Sequence, residues 1–146
     1  TATASANLVS GLQVGKAADL SFGTMTIPTS TTIVTLSTAN TRNIAIGDAV
    51  LLANSPASSV AVFNVSGNAN QAYSVTLPSS DVTITETSGN SNTMIVGNFS
   101  KVSSSGNYTL DGLGADVVSV GATLTTGTDE ISGTYSGSFS VSVAYQ

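Results

Sequence analysis

Alternation with a period of two runs through almost the whole chain, and no segment sustains the 3.6-residue period of a helix. The pattern is longest between Gly133 and Tyr145, where Tyr135, Gly137, Phe139, Val141, Val143 and Tyr145 share one parity and Ser fills most of the other. Successive side chains of a strand point to opposite faces, so this stretch is expected to be one long strand with one buried face. Shorter strands are expected over Ala18 to Ile27, Thr31 to Ser37, Asn43 to Leu52, Ser59 to Ser66, Ala72 to Leu77, Val82 to Thr87, Thr93 to Ser100 and Val117 to Thr125. Ser-Gly-Asn tripeptides at 66–68, 88–90 and 105–107 separate apolar runs and read as turns, because Gly and Asn tolerate positive φ. The fold class is therefore all-β, and 146 residues suit one domain with a real core.

Composition narrows the chemistry. The chain has no Cys, His or Trp, which excludes a Ser-His-Asp triad, a Cys nucleophile and the usual zinc or haem ligand sets. No enzymatic activity and no cofactor are expected. Lys16, Arg42 and Lys101 are the only cations in a chain of net charge −5, too few to neutralise a run of phosphates, so nucleic acid is not an expected partner. No apolar stretch approaches the roughly 18 to 20 residues that span a bilayer, so no membrane insertion is expected. A first residue of Thr and a surface rich in Ser, Thr, Asn and Gly point to an exported, extracellular protein whose signal peptide has been removed.

A second alternating stretch opens the chain. Ala2, Ala4, Ala6, Leu8, Leu12 and Val14 share one parity, whereas Thr1, Thr3, Ser5, Asn7 and Gln13 share the other. This strand precedes the first core strand and has no evident partner in its own fold. Addition to the sheet of another molecule would supply one.

Both ends of the chain resemble the major pilins of chaperone–usher fimbriae, which carry a Gly fourteen residues from the C-terminus and a penultimate aromatic. Gly133 and Tyr145 occupy those positions. Leu20-Ser21-Phe22-Gly23 resembles the Leu-x-Phe-Gly that begins the first core strand of such pilins and of the DUF4402 family. Val120-Gly121-Ala122-Thr123-Leu124 and the run from Gly133 to Phe139 resemble further DUF4402 signatures, so that the likeness covers most of residues 17 to 146. It departs from pilins in having no disulfide, and residues 37 to 60 match no pilin motif.

The resemblance implies an immunoglobulin-like β-sandwich, incomplete in the monomer and completed by an N-terminal donor strand from a neighbouring subunit. Residues 1–16 would form the donor extension and linker and residues 17–146 the sandwich. Ala4, Ala6, Leu8, Gly11, Leu12 and Val14 would form the donor face, with Gly11 where the groove admits no side chain. Gly133, Phe139, Val141, Val143 and Tyr145 would form the groove-lining terminal strand, held before assembly by a periplasmic chaperone. An outer-membrane usher would catalyse exchange, and the product would be a homopolymer of identical subunits, a pilus-like filament. Leu12→Asp is then expected to leave a foldable core and abolish the polymer. The rival reading is a monomeric secreted β-sandwich that binds carbohydrate through Tyr73, Tyr108, Tyr135 or Tyr145. Asp111 with Asp116, or Asp129 with Glu130, are the only candidate calcium ligands, and neither pair has the spacing of a known loop, so no metal is expected.

Overall fold

The computed structural model describes every residue from Thr1 to Gln146, and all of its regular structure is β. Twelve strands follow in order: β1 (Gln13–Ala18), β2 (Thr24–Met25), β3 (Ile33–Leu36), β4 (Arg42–Ile46), β5 (Leu51–Leu52), β6 (Ala61–Ser66), β7 (Tyr73–Thr76), β8 (Val82–Glu86), β9 (Thr93–Ser103), β10 (Ala115–Thr125), β11 (Tyr135–Ser136) and β12 (Ser142–Tyr145). Two of the three Ser-Gly-Asn tripeptides fall between strands, and the third begins on Ser66, the last residue of β6.

The eleven-residue β10 is the spine. One edge of it pairs with β9 along most of its length, and the other pairs first with β6 and then with β3. The main path of the sheet runs β1-β6-β10-β9-β8-β11, with β4 joined through β3. This path curls almost closed, yet its two edge strands, β1 and β11, stop 15 Å apart. Two small ladders, β7–β12 and β2–β5, lie off it. The result is an open, incomplete sandwich-like sheet.

Alternation along β10 sets the core. Asp116, Val118, Val120, Ala122 and Leu124 are buried, whereas Ala115 and Val117 are exposed. Two apolar clusters follow from it. One gathers Val65, Tyr73, Val75, Leu110, Val118 and Val120, and the other gathers Phe22, Val34, Leu36, Val96, Ala122 and Leu124. Leu20 and Phe99 pack against both and join them.

Three expected strands are corrected. The C-terminal stretch from Gly133 is not one strand: β11 pairs with β8, the chain then crosses without pairing, and β12 pairs with β7. A Cβ on Gly137 would lie 2.7 Å from the Thr83 carbonyl oxygen, so the chain passes hard against β8 as it leaves the sheet. The stretch Ala18 to Ile27 retains only the end of β1 and the two residues of β2. The stretch Asn43 to Leu52 divides into β4 and β5, and Asp48 between them turns its carboxylate to the Thr29 and Ser30 amides and hydroxyls.

The N-terminus also differs. Thr1 to Leu12 form no strand, while Gln13 to Ala18 pair antiparallel with β6 of the same chain, Val14 opposite Val65. The sandwich therefore begins inside the segment assigned to the donor extension.

One buried carboxylate organises the interior. Asp116 accepts hydrogen bonds from the Tyr73 hydroxyl (2.7 Å), the hydroxyls of Ser104 (2.5 Å) and Ser105 (2.7 Å), and the Val117 amide (2.8 Å). Burial pushes its pKa up, but these donors outweigh that and hold it below the usual carboxylate range. Burial, and then the bond to Asp116, raises the Tyr73 hydroxyl. Asp116→Ala leaves the buried Tyr73 hydroxyl and the serine donors without their acceptor, a loss of about 3 kcal/mol. The expected result is a lower urea midpoint at unchanged slope. A midpoint equal to that of the wild type would mean that the cluster contributes nothing net.

Candidate functional site: an apolar cleft between two strand edges

The gap between β1 and β11 opens onto a cleft of about 810 Å³. One wall is the end of β1 with the run Asp19 to Pro28, and the other is the stretch Glu130 to Phe139. Between them the inward faces of the sheet present Phe63, Ile84, Met94 and Val96, with Leu20 and Phe22 beside them. Phe63, Ile84, Met94 and Leu20 are only half-buried there, whereas Val96 and Phe22 belong to the buried core that floors the cleft.

Each wall is held by a different device. Arg42 donates from Nη1 to the carbonyl oxygens of Phe22 and Thr24 (both 2.9 Å) and from Nη2 to that of Leu52 (2.7 Å). A planar guanidinium with several fixed donors can serve three carbonyls at once, and so it fastens the β2–β5 ladder behind the first wall. In the second wall, Glu86 lies opposite Tyr135 in the β8–β11 ladder, and the Thr87 amide donates to the Thr134 carbonyl (2.9 Å). Its carboxylate accepts from the Ser88 amide (3.0 Å), the Ser88 hydroxyl (2.9 Å) and the Asn90 amide (3.3 Å). A Cβ on Gly133 would stand 2.6 Å from Glu86 Oε1, so the absence of a side chain there lets the wall close on the carboxylate.

The residues expected to form sites divide as follows. Gly133 and Phe139 line the cleft, and Phe139 packs its ring on Phe99 (centroids 4.9 Å apart) and edge-on to Phe63 (6.4 Å). Val141 and Val143 pack instead against the cluster around Tyr73 and Val118. Tyr145 is the latch of the N-terminal segment: its hydroxyl donates to the Ser10 carbonyl (2.7 Å) and accepts from the Asn68 amide (2.7 Å). At the other end, Ala4, Ala6, Leu8 and Gly11 are exposed, Leu8 to 89%. Leu12 and Val14 are half-buried against the chain's own core, where Leu12 and Leu110 both crowd Gly67. The expected behaviour of Leu12→Asp is therefore corrected, since a charge there would damage the subunit itself.

Other candidates are occupied by structure. Tyr73 is buried and meets Tyr108 edge to face, and the Tyr135 hydroxyl donates to the Ile131 carbonyl (3.0 Å), so the tyrosines form no common face. Asp111 accepts from the amides of Leu113 (2.8 Å) and Ala115 (2.9 Å), and the Glu130 carboxylate accepts from the Gly127 amide (2.7 Å). Sequence reasoning missed Ile84 and Met94, which line the cleft, and Arg42, which fastens the wall from behind. Strand alternation alone does not separate core from cleft.

Burial pushes the Glu86 carboxyl up, but hydrogen bonds from Ser88 and Asn90 outweigh it, leaving the pKa below its ordinary value. A carboxyl with a lowered folded pKa stabilises when ionised, and the contribution is lost as pH falls through the folded value. Acidification below about pH 4.5 is therefore expected to lower the protection of amides in the β8–β11 ladder, measured against the unstructured exchange rate at the same pH. Glu86→Gln should give low protection already at pH 7 and a weaker dependence on pH. Equal profiles for the two proteins would show that Glu86 does not hold this wall.

No curated protein and no solved structure matches the chain. One family does, described as "Domain of unknown function (DUF4402)", over residues 12–145, so that the match opens where Leu12 enters the fold and takes in every strand. Covering nearly the full length, it places the chain in the DUF4402 family.

Proposed function

We propose that the chain is a non-enzymatic structural subunit of an extracellular filament, joined head to tail by insertion of the N-terminal arm of one copy into the cleft of the next. One observation carries this reading. A cleft between two strand edges lies in the same molecule as an exposed arm whose alternation suits a strand. A gap of 15 Å is about three interstrand spacings of ~4.8 Å, so a strand can enter and pair with either edge. Nine residues of arm reach roughly 30 Å when extended.

The contact is between unlike surfaces, arm and cleft, and so does not close on itself. Repetition of one such contact yields a linear filament. Its apolar share is modest: burying Leu8 contributes roughly 1.5–3 kcal/mol, and each alanine methyl less. Main-chain pairing along the edge supplies the rest of the hold. Resistance to dissociation then comes from slow unfolding of the completed sandwich as much as from affinity. An exposed apolar cleft in an unassembled subunit calls for protection during export, the role assigned here to a periplasmic chaperone, with an outer-membrane usher as the site of exchange. Adhesion or biofilm formation would be the filament's task.

The test is electron microscopy and unboiled gel electrophoresis of full-length protein, of protein lacking Thr1 to Val9 and of Leu8→Asp, each made in the exporting host. Full-length protein should form detergent-resistant fibres, and the other two should remain folded and unpolymerised. Fibres of normal length from Leu8→Asp would overturn arm insertion. A full-length protein that stays monomeric at high concentration would overturn the filament and leave a monomeric ligand-binding sandwich to be screened against glycans.

A further inference from the structure

We infer that Tyr145 denies the cleft to the chain's own arm, so that its occupant is the Ala2 to Leu8 segment of a second copy. The inference rests on the arm-insertion reading above and adds the device that sends the arm outward.

The geometry of β1 poses the problem. β1 is an edge strand, its end lines the cleft, and the arm continues from its other end. An arm that reversed at Gly11 would lie antiparallel along β1 and reach the cleft of its own molecule. Gly11 offers no obstacle, since a Cβ there would meet nothing within 4 Å.

Two tight reversals are available, and they present opposite faces of the arm. A two-residue turn at Ser10-Gly11 sets Val9 opposite Leu12, Asn7 opposite Val14 and Ser5 opposite Lys16. Directly opposed residues share a face, and Val14 points toward the core, so this register turns the polar side of the arm inward. A three-residue turn through Ser10, Gly11 and Leu12 sets Leu8 opposite Val14 and turns the apolar side inward. Only this second register fits an apolar cleft.

Both ends of that three-residue turn are already held. The Tyr145 hydroxyl binds the Ser10 carbonyl and is itself bound by the Asn68 amide, while the Leu12 side chain lies against Gly67 beside Leu110. Reversal in the productive register breaks the bond at Ser10 and lifts Leu12 from the core. With the latch in place the arm leaves the domain pointing outward, and its apolar face stays available to another molecule. Tyr145 is a positioning residue, acting on the arm through Ser10.

The experiment compares full-length wild type with Tyr145→Phe, which keeps the ring and loses both hydrogen bonds. A second variant inserts Gly-Ser-Gly-Ser between Val9 and Ser10, giving the arm a hinge outside an intact latch. Both variants are expected to raise the ratio of monomer to filament at least tenfold. In dilute monomer, hydrogen exchange should show Thr1 to Val9 protected in both variants and unprotected in the wild type. Filament yields equal to wild type, or an unprotected arm in both variant monomers, would overturn the latch. If Tyr145→Phe fails to fold, the insertion variant alone decides. Wild type that forms no filament, beside a protected arm in the variants, would overturn the filament reading and leave the latch standing.

Discussion

A sheet that curls but does not close leaves two rows of backbone donors and acceptors facing each other, and the rest of this fold is arranged around that gap. Closure fails because the chain is used elsewhere at both ends. After β11 it leaves the sheet to pair β12 with β7, and before β1 it runs out as the arm. Unpaired edges invite association, and many proteins blunt them with charge or cover. Here Lys16, paired with Asp19 at 2.6 Å and largely in solvent, is the only cation on β1, and β11 has none. The walls beside the gap are instead fastened from behind by Arg42 and Glu86, which stiffens the opening without filling it.

The all-β class, the turns and most strand positions were legible because they depend on local pattern. Ownership of the terminal strands was not. Ala2 through Leu8 and Leu12 through Val14 share one parity, so nothing local marks the point where the chain stops being free and enters the sandwich. That point is set by Gly67, Leu110 and Tyr145, which are distant in sequence. The same holds at the other end, where one unbroken alternation covers two strands paired to β8 and to β7. Gly133 and Tyr145 were singled out by the resemblance to pilins, and the structure gives each a physical role: Gly133 makes room for Glu86, and Tyr145 ties the two termini together.

A chain with three cations must place its acids by other means, and it does so with hydroxyls and amides. Asp48 sits among Thr29 and Ser30, Glu86 among Ser88 and Asn90, and Asp116 among Ser104, Ser105 and Tyr73. The Thr29 hydroxyl bond, with help from Ser30, lowers Asp48 to about 2 against the opposing effect of burial. All three carboxylates hold irregular stretches rather than strands, which explains how a Ser- and Thr-rich sequence can form defined loops without ion pairs. Such bonds are short-ranged and screened little by salt, unlike surface charge pairs. Stability should therefore depend more on acidity than on ionic strength.

The N-terminal segment then divides into two parts with separate physical duties. Leu12 and Val14 complete the domain's own packing, so changing them alters folding before it alters anything else. Residues up to Val9 are exposed and form no strand in the domain, so changes there act first on association. The Ser10–Tyr145 bond marks the boundary, and only Gly11 separates it from the half-buried Leu12. A junction this short transmits the orientation of one domain to whatever its arm engages, because few free torsions lie between the sandwich and the arm. In a filament built this way, stiffness would follow from the same contact that keeps the arm out of its own cleft.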